Sequence, residues 1–176
     1  MQANVTVTAA LAEGCPANAS ATRARAQLHG AFFNDGSSTG AGDRTGDIFA
    51  IIEKRRASPA ANTIRALVNR CIDPQCNDNI NLATRIFVTG WTLGVADTLE
   101  LRWDPDNDQF LFALNPGTAG EETAALAYGV SDANPPGLDL KQLRVLNNVA
   151  NCTEVRKSAS ITALFDDVML NPEAVP

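Results

Sequence analysis

His29 stands in Gln27-Leu28-His29-Gly30-Ala31-Phe32-Phe33-Asn34-Asp35-Gly36, a stretch that joins a histidine, an amide and a carboxylate beside a loop. An imidazole oriented by a carboxylate serves as a general base. No Gly-x-Ser-x-Gly nucleophile turn accompanies it, so His29 reads as a hydrogen-bonded histidine at a strand end. Glycoside hydrolysis needs two acids roughly 5 to 10 Å apart across a cleft. Glu53, Glu100, Glu121, Glu122, Asp166 and Asp167 are available, yet none falls in a Glu-x-Asp-x-x-Glu strand pattern. Asp166 and Asp167 are adjacent and point to opposite faces of a strand. No catalytic residue is assigned, and the chain is not expected to be an enzyme.

Oxygen ligands at alternate positions suit calcium, and Asp104-x-Asp106-x-Asp108 begins like such a loop. It fails at Gln109, where the sharp-turn glycine is needed, and at Asn115, where the bidentate glutamate is needed, and so reads as an acidic hairpin turn. Asp43, Asp47, Asp166 and Asp167 are the remaining donors and the candidate ligands of a structural calcium ion. For a sugar ring, Trp91, Trp103 and Tyr128 are the stacking aromatics considered. Trp103 is in phase with Leu99 and Leu101 and belongs to the core. Trp91 follows Gly90 at a strand end and is the better platform, against a competing reading of partial core burial. Asn34 and Asp35 are the candidate polar contacts.

The cysteines form an even set. Cys71 and Cys76 enclose Ile72-Asp73-Pro74-Gln75, a turn-forming insert that brings them within bridging distance. Cys15 and Cys152 remain as the long pair. Two disulfides imply an oxidising compartment. Four buried thiols or a zinc site are the alternatives, the latter short of ligand spacing and of histidines beyond His29.

These residues need elements to hold them, and strand-like alternation dominates the chain. The segments are Val5 to Ala12, Thr22 to Phe33, Asp47 to Lys54, Thr63 to Cys71, Ala83 to Gly90, Thr98 to Trp103, Gln109 to Asn115, Thr123 to Tyr128, Gln142 to Asn147 and Ser160 to Leu170. In the hairpin from Thr98 to Asn115, Leu99, Leu101 and Trp103 share a face that Phe110, Phe112 and Leu114 meet on return. A helix over Gly137 to Val149 competes with the strand there, because Leu138, Leu140, Leu143 and Leu146 have some helical period. The stretches Asn34 to Gly46 and Asn115 to Glu122 read as long exposed loops, where binding sites usually sit.

A chain of 176 residues, 45% apolar and 19% charged, supports one domain spanning 1–176 with a buried core. Its formal charge of -6 opposes nucleic acid and anionic membranes. Lys54-Arg55-Arg56 and the alternating Arg23 and Arg25 fall short of the basic run of about five to eight residues that would reverse this. There is no apolar run of transmembrane length and no leader at the start. An exported chain would then be a mature part behind an added initiator methionine.

The segment Arg85-Ile86-Phe87-Val88 to Trp91, followed by Thr98-Leu99-Glu100-Leu101-Arg102-Trp103-Asp104 and Phe110-Leu111-Phe112, resembles the central strands of the concanavalin A-like lectin/glucanase jelly rolls, a class that includes laminin-G-like modules. Ile161-Thr162-Ala163-Leu164-Phe165-Asp166-Asp167-Val168-Met169-Leu170 is similar to their final strand, which returns beside the first, and a Cys15 to Cys152 bridge suits that closure. Neither a glucanase acid pair nor an alginate-lyase Gln/His/Tyr set maps onto these residues. The resemblance implies carbohydrate binding or adhesion. The expectation is an all-β, antiparallel two-sheet β-sandwich, jelly-roll-like. It would be a secreted, extracellular or periplasmic, non-catalytic module for a glycan or a surface protein. The alternatives are a structural subunit that self-assembles within an extracellular or envelope assembly, and a polysaccharide-active enzyme with an unrecognised site.

Overall fold

Alternating side chains become paired strands in a computed structural model of the protein, which describes residues 1–15, 22–57, 61–149 and 157–170. The strands are β1 (Gln2–Ala12), β2 (Arg23–Asn34), β3 (Asp47–Ala57), β4 (Ala61–Cys71), β5 (Asn79–Val88), β6 (Ala96–Asp104), β7 (Gln109–Leu114), β8 (Glu122–Ala127), β9 (Lys141–Asn148) and β10 (Ala159–Met169). Among the described residues there is no α-helix, hence none long and apolar enough to cross a membrane. The strands form two antiparallel five-stranded sheets, ordered β10-β1-β6-β7-β8 and β5-β4-β3-β2-β9. The protein is an antiparallel two-sheet β-sandwich, jelly-roll-like in its long-range pairings of β1 with β10 and β2 with β9.

Several strands extend beyond the sequence expectation, and the considered helix is replaced by a strand. β1 starts at Gln2, because Gln2 to Thr6 pair with Glu100 to Ala96 of β6. β5 starts at Asn79, which pairs with Cys71 as soon as the chain leaves the intervening turn. The helix considered over Gly137 to Val149 does not form: Lys141 to Asn148 pair in register with Gly30 to Arg23 of β2. The open edge of β2 offers that segment a continuous ladder, which a short helix of mixed period cannot match.

One core fills the space between the sheets. Ala26 and Leu28 of β2, Ile48, Ala50 and Ile52 of β3 and Ile64, Ala66 and Val68 of β4 meet Val5 and Val7 of β1 and the β6–β7 hairpin. In that hairpin Leu99, Leu101, Phe110, Phe112 and Leu114 are buried, as their shared phase requires. Trp103 is half-buried at the rim, its indole N–H donating to Tyr128 Oη at 3.4 Å. A register shift between Ala31 and Phe33 re-aims β2 so that Phe33 enters the core. Lys54 enters it too: its ammonium reaches Asp97 Oδ2 at 2.7 Å and the Val95 carbonyl at 2.9 Å, tying β3 to the opposite sheet.

Cys71 and Cys76 are bridged, with Cα atoms 4.9 Å apart. No described cysteine is free. Cys152, the expected partner of Cys15, lies outside the described residues.

Candidate functional site

The loop from 35 to 46 joins β2 to β3 and holds most of the residues expected to bind something. Asn34 donates through Nδ2 to the Thr45 carbonyl at 2.9 Å and to Asp47 Oδ1 at 2.8 Å, and its Oδ1 accepts from Gly36 N–H at 2.9 Å. Asp35 accepts from Ser37 N–H at 3.0 Å and pairs with Arg70 of β4. Asp43 accepts from Thr39 N–H and Oγ1 and from Thr45 N–H, all within 2.8 Å, and these bonds hold its carboxyl well below the usual range. Asp47, fully buried, accepts from Gly137 N–H at 2.7 Å and pairs with Arg44. Gly46 closes the loop at φ 87°, where a Cβ would collide with Asp35 Oδ1. These polar groups are spent on the loop itself. Asn34 and Asp35 therefore organise the turn instead of standing open to a ligand.

The calcium donor set is not assembled. Asp43 and Asp47 lie at the β2–β3 loop, whereas Asp166 and Asp167 lie on β10 of the other sheet, Asp167 accepting from Asn4 Nδ2 at 2.7 Å. Among the described residues no group of three acids, histidines or cysteines comes together to hold a metal ion. Trp91 is 6% exposed, and its indole N–H points inward to the Arg55 and Thr63 carbonyls, each at 3.2 Å. Its burial fits the core reading and removes the stacking platform. Tyr128 is equally buried.

A different set of residues meets on the outer face of the β5-β4-β3-β2-β9 sheet. Strand alternation puts Arg23, Arg25, Gln27 and His29 of β2 on that face, and the pairing sets Arg144 opposite Gln27, Gln27 opposite Glu53, and Glu53 opposite Arg65. These four side chains form a hydrogen-bonded relay across four strands. Arg144 Nε donates to Gln27 Oε1 at 2.7 Å, Gln27 Nε2 donates to Glu53 Oε2, and Arg65 Nε donates to Glu53 Oε1 at 2.7 Å. Gln27 and Glu53 are fully buried, so the relay is rigid.

Two adjoining cavities of about 660 and 380 Å³ open over this relay and share Arg23, Arg25, Ile51, Asn69 and Asn79. Among the described residues their walls carry five guanidiniums, from Arg23, Arg25, Arg44, Arg65 and Arg144, and one carboxylate, Glu53. The floor is a second apolar cluster of Ala31, Phe49, Ile51, Leu67 and Cys71, and the disulfide turn supplies Cys76 and Asn77 to the rim. Crowding shows in the ionisation. Burial first, then the neighbouring Arg65 and Arg23, push the Arg55 guanidinium down to about 10. Arg25 and Arg144 are lowered in the same way, burial again leading.

His29 lies at the base of the larger cavity, 4% exposed and 5.2 Å from the Phe49 ring. Burial, reinforced by Arg144 and Arg44, lowers it to about 3, so it is neutral at ordinary pH. Its Nδ1 has no hydrogen-bond partner among the described residues, and neither has Nε of Arg25 or of Arg55. The cleft therefore offers unused donors and a neutral imidazole. Its single acid is already held by Gln27 and Arg65.

The short basic cluster Lys54-Arg55-Arg56 is not one patch, because Lys54 turns into the core while Arg55 turns outward. Arg23, Arg25 and Arg55 were visible in the sequence, but their convergence with Arg65 and Arg144 depends on the registers of β4 and β9. The legible signal was parity: Arg23, Arg25, Gln27 and His29 alternate over one strand.

No family model, curated protein or solved structure matches this chain.

Proposed function

We propose that this protein is a secreted, non-catalytic glycan-binding module that takes its ligand in the cleft over β9, β2, β3, β4 and β5. The observation that carries the reading is the cleft itself: a rigid row of guanidinium and amide groups over an apolar floor. Asn69, Asn77, Asn79 and Asn148 line the larger cavity, and amides suit sugar hydroxyls because each donates and accepts. Each of the two volumes lies in the range of small-ligand sites. Export is supported by the Cys71–Cys76 bridge, and the resemblance to laminin-G-like sandwiches implies carbohydrate or adhesive partners. A binding role fits a cleft whose one acid is engaged and whose histidine is held neutral.

The test is a glycan array probed with the oxidised protein, with and without a calcium chelator, beside Arg144→Gln. The expected result is binding to a restricted set of glycans, lost in the variant and retained in chelator, since the cleft carries no cluster of hard oxygen ligands. Binding abolished by the chelator would move the site to the acidic residues. An empty array would end the glycan reading, and a protein partner on the cell surface would replace it.

A further inference from the structure

Resting on the glycan-binding reading, we infer that the ligand is an acidic oligosaccharide whose uronate carboxylates are held by the guanidiniums of Arg25, Arg65 and Arg144.

A chain with formal charge -6 brings the guanidiniums of Arg25, Arg65 and Arg144 around one cleft, where Glu53 is the one carboxylate among the described lining residues and pairs with Arg65. Burial first, and the neighbouring guanidiniums second, disfavour the charged forms of Arg25, Arg55 and Arg144 in the unliganded face. An anion offsets this. The relay uses Nε of Arg144 and Nε of Arg65, and it leaves unused the fork of terminal N–H groups whose geometry matches a carboxylate. Glu53 shows the match inside the site, being itself a carboxylate held by Arg65 and an amide. His29, nine-tenths buried with Nδ1 unpartnered, adds a neutral acceptor or donor at the base, suited to a hydroxyl beside the charge.

The rest of the lining selects a sugar acid over a nucleic acid. Asparagine amides interleave with the arginines, whereas a nucleobase needs an aromatic face to stack on, and Phe49, the cleft's phenyl ring, is 5% exposed under His29. The negative remainder of the molecule also opposes a long, densely charged strand.

Isothermal titration of the full oxidised chain against size-defined oligosaccharides of galacturonate, glucuronate and mannuronate, each beside its carboxyl-reduced counterpart, tests this without any mutation. At least one acid form is expected to bind, and its reduced form to bind about tenfold to a hundredfold more weakly, the equivalent of one lost charge-assisted bond. Arg25→Gln and Arg144→Gln should each reproduce that loss while keeping the wild-type strand content by circular dichroism, whereas Arg102→Gln on the other sheet should not reproduce it. Reduced and acid forms binding equally would overturn the carboxylate inference and leave the glycan reading standing. Failure of every acid form would also overturn it, and the glycan array would decide the reading separately. An oligodeoxynucleotide binding more tightly than any uronate would overturn the sugar class.

Discussion

His29 is the only histidine of the chain, and its environment makes it a pH-dependent liability. In the unfolded chain it titrates near 6.5, whereas burial first, then Arg144, Arg44 and Lys141, lower it to about 3 in the fold. Between these values the unfolded state binds the extra proton and the folded state does not. Stability therefore falls as pH falls through that window, by up to about 1.4 kcal/mol per pH unit. Melting temperature is expected to drop between pH 7 and pH 5 in the wild type and to drop less in His29→Gln, which has no proton to gain. Parallel curves for the two would show that His29 is hydrated and titrates normally. The same residue shows what the sequence disclosed at this scale. Its strand and its lack of a nucleophile were readable, but the unpartnered Nδ1 depends on Phe49 and Arg144, which arrive from β3 and β9. Trp91 was weighed against the core and lies there. Asp35 opens the expected loop, whereas Asn34, read as part of it, is the buried last residue of β2, and their hydrogen bonds run to Thr45, Asp47 and Ser37, partners that only the closed turn brings near.

At the scale of the strand, β3 carries adjacent cations to opposite fates. Lys54 is fully buried, 2.7 Å from Asp97 of β6, and its ammonium lies 5.8 Å from the centre of the Trp91 ring. Arg55 faces the cleft. Removing Asp97 strands a buried ammonium, whereas removing Lys54 leaves a carboxylate that is 17% exposed and can hydrate. Asp97→Asn is therefore expected to cost about 3 kcal/mol. Lys54→Met should cost less, about 1 to 2 kcal/mol, and the double variant less than the sum. Urea unfolding of the three variants checks the order, and strict additivity would show that Lys54 and Asp97 do not interact. Alternation made every strand legible to within a few residues, because a one-face-buried strand has a period of 2. It could not reveal that both faces of β3 are buried. The outer face is covered by Cys76 of the disulfide turn and by Leu140, which are remote in sequence, so the second cluster and the cleft over it escaped pattern reading.

At the scale of the whole molecule, a sandwich leaves four sheet edges, here β10, β8, β5 and β9. The edge at β10 is the hazard, since Leu164, Val168, Met169 and Leu170 are exposed along it, Leu164 at 60%. An exposed apolar edge templates pairing with another chain unless something blunts it. Asp166 and Asp167 do so. Asp167 adopts φ 47° at a register shift against β1, which kinks the edge, and both side chains are exposed carboxylates. Two copies meeting edge to edge would bring these carboxylates together, and the net charge of -6 adds a general repulsion. Asp166 and Asp167, two of the four residues first read as calcium ligands, thus guard the edge. The wild type is expected to remain monomeric by light scattering as concentration rises. Asp166→Asn with Asp167→Asn, which keeps a residue tolerant of positive φ while removing both charges, should shift it to dimers and larger species with the strand content unchanged by circular dichroism. Self-association of the wild type itself would reverse the argument: β10 would be an assembly edge, and a structural subunit would explain the fold better than a glycan-binding module.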